Sequence, residues 1–273
     1  MKNKPTHLLV CFHGLGPYHR ARLQAAHESL PGLAALEWST HDDTYAWDRT
    51  ADSLPFDCHA LLRDRDAESL PPRTLEPLFR AVLRESNPDL LVINGWGFST
   101  SLAALRSSAD LKIPAVVMTE STLWDHSRHG PGEWVKRLLL RHFTGALAGG
   151  SAHREYLVRL GMPEDRIFLG YDAVDNDYFI AQSDEARSRE RELRARLALP
   201  RPFFLASGRF IPKKNHLRLL DAYAAYRGEW EGVKVRKCEG AKSSQSATSP
   251  KPAEEERRVE NAEIGEPKTD TGE

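Results

Sequence analysis

Residues 203–227 read FFLASGRFIPKKNHLRLLDAYAAYR, and this stretch is the starting point for interpreting the whole chain. It begins with a short apolar run, turns at Gly208 and then carries Arg209, Lys213 and Lys214 within six residues. Apolar residues follow at helical spacing, at Leu217, Leu220, Tyr223 and Ala224. The pattern predicts a strand that leads into a helix through a cationic turn.

A cationic turn before a helix is suited to binding phosphate. The first N–H groups of a helix lack intrahelical partners, and the positive end of the helix dipole favours an anion there. Arginine adds two parallel donors, and lysine adds a compact charge. The alternative is that Arg209 and the two lysines are solvated surface charges on an ordinary strand-to-helix turn. The spacing alone leaves both interpretations open.

The composition bounds the class of protein. The chain has 273 residues, a formal net charge of −1 and 40% hydrophobic residues, which suits one or two domains. Near-neutral charge argues against nucleic-acid binding, because such proteins usually carry excess basic charge. Cys11, Cys58 and Cys238 are far apart and have no metal-like spacing, which favours a reduced cytoplasmic compartment. The first apolar run, Leu8–Phe12, is too short for a signal peptide or a membrane span.

Apolar runs and helical periodicities alternate along the first 170 residues. Strands are expected at Leu8–Phe12, Leu33–Trp38, Phe56–Leu62, Asp89–Ile93, Ala115–Met118, Gly145–Ala148 and Arg166–Gly170. Helices are expected at Tyr18–Leu30, Thr74–Ser86, Ser99–Ser107, Pro131–Phe143, Ser151–Leu160 and, as an exposed helix with i,i+4 pairs, Ser183–Leu197. Ser99 or Thr100 is the expected cap of the third of these helices. The alternation predicts an α/β fold with a doubly wound, Rossmann-like parallel sheet.

Ligands of such sheets bind beyond the carboxyl ends of the strands, so the loops there hold the candidate site residues. Gly14 and Gly16 follow the first strand, and they either form a tight turn or let the backbone approach a ligand closely. Trp96 lies in the loop that follows Ile93. The loop after the fifth strand carries Glu120, Asp125 and His126. Glu120 and Asp125 can act as a general base or bind a sugar hydroxyl, and the alternative is a solvated or capping role for each.

The segment 133–143 is both apolar and basic. Lys136, Arg137 and Arg141 can meet an anionic membrane surface if the helix lies on it. The alternative is that Trp134, Leu138 and Leu139 pack against the sheet and leave the charges in water. We therefore expect a cytoplasmic protein that is at most peripheral to the inner face of a membrane.

The chain resembles a known family at several motifs. GRFIPKKN, followed by HLRLLDAYAAYR, is similar to the start of the C-terminal domain in the retaining glycosyltransferases of family 4, which have the GT-B fold. GYDAVDNDYF (residues 170–179) resembles their interdomain signature, and LVRLGMPEDRIFLGYD (residues 157–172) resembles the segment that leads into it. The resemblance extends over residues 6–231.

The resemblance implies transfer of a hexose from a nucleotide-diphosphate sugar to a glycan or lipid-linked acceptor, with no cofactor and no metal ion. Arg209 and Lys214 match the family residues that bind the donor's diphosphate. Gly14 and Gly16 match a loop that faces the interdomain cleft in that family. Trp96 and His126 are also assigned to loops at this cleft. Glu120 and Asp125 lie in the loop on the acceptor side. The chain departs from many relatives in having no histidine directly at the end of that strand.

The resemblance also implies a division into three parts. Residues 1–180 form the acceptor-side domain, residues 181–231 form a linker helix and the first unit of a truncated donor domain, and residues 232–273 form a disordered tail rich in Lys, Glu, Ser, Pro and Thr. The E-x(7)-E pair that contacts the donor in relatives needs an apolar framework, which residues 232–273 do not supply. We therefore expect an enzyme that is weak or inactive as this chain. The alternative is a non-catalytic fragment that binds an acceptor glycan or a partner protein.

Overall fold

The structure is a computed structural model that describes residues 6–40, 54–63, 65–125, 130–200 and 203–227. The chain divides into two compact units, of which the first ends at Pro200 and the second begins at Arg201. The expected disordered tail, residues 232–273, lies outside the described residues.

The first unit is built on one parallel sheet. Its strands among the described residues are Leu8–Phe12 (β1), Leu33–Ser39 (β2), Cys58–Leu62 (β3), Leu90–Asn94 (β4), Ala115–Thr119 (β5), Gly145–Ala148 (β6) and Ile167–Leu169 (β7). They lie in the order β3-β2-β1-β4-β5-β6-β7, and all neighbours run parallel. The predicted Rossmann-like α/β fold is therefore confirmed, and the strands β1 and β6 match their predicted bounds to the residue.

The helices follow the strands as the alternation predicts. They are Pro17–Ser29 (α1), Pro72–Ser86 (α2), Ser99–Asp110 (α3), Pro131–Leu140 (α4), Ser151–Arg159 (α5), Asn176–Ser188 (α6), Glu190–Arg196 (α7) and His216–Tyr226 (α8). Short 3₁₀ turns occupy Ala67–Ser69, Glu164–Arg166 and Pro212–Lys214. None of the helices in the described part of the chain is long and apolar enough to cross a bilayer.

Alternate strand residues enter two separate cores, because successive side chains of a strand point to opposite faces. Leu9 and Cys11 join the larger core, where α2, α3, α4 and α5 contribute buried side chains. Val10 and Phe12 join the smaller core with Leu23 of α1. Since both faces are buried, the edge left for a ligand is the one at the strand ends.

A carboxylate from elsewhere in the chain caps α3. The backbone N–H groups of Ser99 and Thr100 donate to Glu68 at 2.9 and 3.4 Å, and the Thr100 hydroxyl donates to the same carboxylate. The expected cap by Ser99 or Thr100 is wrong, because the N-cap residue is Phe98 and both residues lie inside the helix. Glu68 supplies the missing acceptor and ties the turn Ala67–Ser69 to α3.

Replacing Glu68 with alanine is expected to lower the free energy of unfolding by about 2 kcal/mol, because the helix loses a charged cap and Thr100, fully buried, loses an acceptor. Urea denaturation followed by circular dichroism measures the change. Glu85→Ala is the matched control, since Glu85 is exposed on α2. Equal stability of the Glu68 variant and the control would contradict the capping role.

The predicted single helix Ser183–Leu197 is wrong, since α6 and α7 are separate helices. The Asp175 side chain accepts from the Tyr178 N–H at 2.9 Å, and this cap starts α6 at Asn176. Helical geometry is interrupted at Arg189, where φ is −107° and ψ is 19°. The expected i,i+4 pairs are confirmed, for example Arg194 with Glu190 at 2.6 Å.

The expectation that Trp134 of α4 packs against the sheet is wrong. Trp134 is 62% exposed, whereas Leu139 packs against the larger core. The helix is held by polar contacts: the Lys136 ammonium group donates to Glu133 at 2.7 Å and to the Tyr156 hydroxyl at 3.1 Å. That hydroxyl donates to Glu133 at 3.0 Å. Lys136 is therefore engaged within the fold, whereas Arg137 is exposed.

In the second unit the predicted strand is absent from the described residues 203–209. A strand needs a neighbouring strand for its ladder of hydrogen bonds, and residues 203–227 contain no strand that could be that neighbour. Phe204 instead packs edge-on against Tyr223 and Tyr226 of α8, with ring centroids 5.9 and 5.6 Å apart. The predicted helix is confirmed as α8.

Candidate functional site

The carboxyl edge of the sheet is the candidate site of the first unit. Strand order reverses between β1 and β4, and ligands of doubly wound sheets bind outside the strand ends near such a switch point. The loops after β1, β4, β5 and β6 all open onto this edge.

The loop after β1 is held by two side chains that the sequence analysis did not select. Glu37, at the end of β2 and only 8% exposed, accepts from the Leu15 N–H at 2.8 Å. His19 lies 3.0 Å from the carbonyl oxygen of Gly14 and stacks on Phe12. Burial lowers the pKa of His19, which keeps the ring neutral and able to donate to that carbonyl.

Gly14 and Gly16 lie in this fixed loop. Neither is among the described glycines with positive φ, and Gly16 has φ −71° and ψ 169°, which any residue adopts. The backbone geometry therefore does not demand glycine at position 16.

Glu120 follows β5 directly and is exposed at the carboxyl edge. Its carboxylate accepts from the Tyr171 hydroxyl at 3.2 Å, which links the end of β5 to the segment after β7. Burial raises the pKa of Tyr171, and the negative charge of Glu120 raises it further. Tyr171 therefore stays protonated and donates to Glu120 throughout the physiological range.

His153 lies beside Glu120. A Cβ placed on Gly149 would meet Glu120 Cγ and His153 Cε1, each at 3.4 Å, so both side chains flank this glycine. His153 Nδ1 is buried and has no hydrogen-bond partner among the described residues. A carboxylate and an imidazole that flank the same glycine can bind the hydroxyl groups of a sugar or transfer a proton.

The other predicted site residues of the first unit lie apart from this pair. Trp96 is 9% exposed and belongs to the larger core, with its ring 6.5 Å from that of Tyr156. Asp125 accepts from the Thr122 N–H at 2.7 Å, which stabilises its own loop. His126 lies outside the described residues.

In the second unit the predicted diphosphate residues share one tight loop. Lys214 ends the 3₁₀ turn Pro212–Lys214, and its Cδ lies 3.9 Å from where a Cβ on Gly208 would be. His216, the first residue of α8, contacts the Arg209 carbonyl oxygen at 2.9 Å. Lys214 and the backbone of Arg209 therefore lie beside the start of α8, and phosphate binding by the two side chains stays a prediction.

Sequence reasoning did not select Glu37, His19, Tyr171 or His153. The available signal for His153 was its place two residues after Ser151, in the helix that follows the Gly149-Gly150 turn at a strand end. Glu37 and Tyr171 left weaker signals, because their roles depend on contacts 22 and 51 residues away in the chain.

Comparison with known families identifies the first unit. Residues 15–169 match the glycosyl transferase 4-like domain, which is more than half of the chain. The chain belongs to the glycosyl transferase 4-like family. The match begins just after β1 and covers β2 to β7, and it includes Glu120 and His153. No protein of curated function matched this glycosyl transferase 4-like chain by sequence.

Solved structures share the fold of this glycosyl transferase 4-like protein. The UDP-N-acetylglucosamine 2-epimerase from Rickettsia bellii superimposes with a TM-score of 0.52 and 16% identity, over 82% of this chain and 60% of that protein. HepE from Anabaena, solved in complex with UDP and glucose, gives a TM-score of 0.56 and 16% identity, over 80% of this chain and 57% of HepE. The chain thus spans less than two thirds of the length of either structure. At such identities the likeness shows the GT-B-type fold alone.

Proposed function

We propose that this protein is a glycosyltransferase that moves a hexose from a nucleotide-diphosphate sugar to a glycan or lipid-linked acceptor. The observation that carries the proposal is the family match over residues 15–169, which includes the carboxyl edge where Glu120 lies. The activity of this chain is expected to be weak, because residues 232–273 lack the apolar framework that the family's donor-binding E-x(7)-E pair needs.

The donor role falls on Arg209 and Lys214. Transfer breaks the bond between the sugar's anomeric carbon and the diphosphate oxygen, so negative charge develops on the leaving diphosphate. A guanidinium, an ammonium group and the start of α8 in one loop supply positive charge for that group without a metal ion. HepE has been solved with UDP, which supports a uridine nucleotide as the first donor to test.

The acceptor role falls on Glu120. The acceptor hydroxyl loses its proton as it bonds to the anomeric carbon, and an exposed carboxylate can accept that proton. Tyr171 and His153 would position the carboxylate and bind neighbouring hydroxyl groups. Asp125 is the second candidate, although its contact with Thr122 favours a structural role.

A cytoplasmic location with peripheral membrane contact through residues 133–143 is part of the proposal. Exposed Trp134 and Val135 support the contact, being 62% and 47% accessible. The engagement of Lys136 with Glu133 removes one of the three cations on which the prediction was based.

The alternative function is a non-catalytic protein that binds an acceptor glycan or a partner protein. The absence of a strand among residues 203–209 favours this alternative, because a donor site in this family is built on such a strand. Donor binding separates the two functions.

Calorimetric titration of the full chain with UDP-, GDP- and ADP-sugars tests the proposal. One of these donors is expected to bind, and Arg209→Ala is expected to weaken it about tenfold by removing a charge-assisted hydrogen bond. Arg218→Ala is the control, because Arg218 is exposed on α8 beyond the loop. Absence of heat with every donor, or equal affinity in the Arg209 variant, would refute the catalytic function.

A further inference from the structure

A pocket of about 350 Å³ lies at the amino edge of the sheet, opposite the candidate site. It forms where α4 ends before β6 and where α5 ends before β7. Leu140, Phe143, Leu160 and Met162 contribute to its lining and are 3% to 6% exposed, so they belong to the rigid core. Strand β6 has four residues, which places the pocket roughly 13 Å from the carboxyl edge.

Four arginines line this pocket and no acidic side chain does: Arg137, Arg141, Arg159 and Arg166. None of the four has an ion pair or a side-chain hydrogen bond within the described ranges. Arginines elsewhere in the first unit do find carboxylates, as Arg80 does with Asp110 at 2.8 Å. The nearby Glu164 pairs with Arg154, at 3.5 Å, outside the pocket lining.

Helix dipoles explain part of this arrangement. A cation near the carboxyl end of a helix is favourable, and Arg137 and Arg159 lie in the last turns of α4 and α5. The dipoles do not explain why exposed arginines from α4, α5 and the turn before β7 all line one cavity that has no carboxylate in its lining. An anion in the cavity would supply the negative charge that the lining lacks.

We propose that this four-arginine pocket binds a phosphate-bearing anion. Guanidinium groups donate two parallel hydrogen bonds to phosphate oxygens, and several of them around one cavity suit a dianion or a diphosphate. The volume lies within the range of small-ligand sites. The phosphate comes either from a soluble phosphorylated compound or from the headgroup of an anionic lipid, which present the same oxygens.

Two probes distinguish these sources: calorimetric titration with inorganic pyrophosphate, and flotation with phosphatidylglycerol or phosphatidylcholine vesicles. Binding of pyrophosphate supports a soluble ligand. Binding only to phosphatidylglycerol vesicles supports a lipid headgroup. If the unaltered protein binds neither probe, the proposal is overturned.

The double variant Arg141→Gln, Arg159→Gln is expected to weaken the binding at least tenfold. Its melting temperature should change little, because both arginines are exposed and neither makes an ion pair within the described residues. Arg84→Gln is the matched control, since Arg84 is exposed in the last turn of α2 and does not line the pocket. An equal loss in the control, or full binding by the double variant, would overturn the proposal.

The variant Arg209→Ala distinguishes binding at the four-arginine pocket from binding at the loop of Arg209 and Lys214, to which the donor role is assigned. Binding at the four-arginine pocket should stay unchanged in that variant, whereas nucleotide-sugar binding should fall. Loss of pyrophosphate binding in Arg209→Ala alone would assign the anion to the donor loop and overturn the pocket. If no nucleotide sugar binds, the proposed function is refuted, and the pyrophosphate and vesicle experiments still test the four-arginine pocket.

Discussion

Glu120→Gln is expected to lower kcat for sugar transfer by about 100-fold, within the 10²–10⁴ range for loss of a general base. The amide keeps an oxygen that can accept from Tyr171, so the contact between β5 and the segment after β7 should survive. The amide cannot take a proton from the acceptor hydroxyl. Steady-state assays with the donor identified by calorimetry measure the change, and KM for that donor should stay constant.

Two further variants make this result specific. Glu155→Gln removes an exposed carboxylate from α5, on the helix that carries His153, and should leave kcat unchanged. Asp125→Asn tests the second candidate base in the same loop. If kcat falls in the Asp125 variant and not in Glu120→Gln, the base is Asp125 and our assignment is wrong.

Gly145→Val is expected to lower the free energy of unfolding by about 3 kcal/mol, the upper part of the usual range for overpacking a core. A Cβ at Gly145 would lie 2.9 Å from the carbonyl oxygen of Arg166, which is backbone directly before β7. The strands β6 and β7 would have to separate to admit it. The melting temperature should fall by about 6–12 °C, measured by calorimetry or by tryptophan fluorescence.

Gly132→Ala is the opposite case. Gly132 lies in the first turn of α4, and a Cβ there would meet nothing within 4 Å. Alanine is a better helix former than glycine, so this variant should be as stable as the unaltered protein or slightly more stable. Equal destabilisation by the two substitutions would show that the close contact at Gly145 is not the cause.

The sheet could be predicted from the sequence because its signals are local. The strands β1, β4, β5, β6 and β7 contain apolar runs of three to five residues, and an asparagine or a glycine ends β4, β6 and β7. Local signals also explain why the strand expected at Phe203 was predicted wrongly. Its residues have strand composition, but composition cannot supply the neighbouring strand that a ladder needs.

The candidate site was only partly predictable. Glu120 could be selected because it follows an apolar strand directly, whereas Tyr171 reaches it from 51 residues away. Asp125 carries the same carboxyl group in the same loop, and its contact with the Thr122 N–H distinguishes it from Glu120, which contacts Tyr171. The four arginines of the amino-edge pocket are spread over 30 residues of sequence, so only the fold brings them together.

The way α4 is attached has a consequence for how the protein can diverge. The helix is anchored by Glu133, Lys136 and Tyr156, of which Tyr156 is completely buried. Trp134 and Val135 lie on its outer surface and take no part in that anchor. Substitutions at these two positions should therefore change what the helix presents to its surroundings and leave its attachment to the sheet intact.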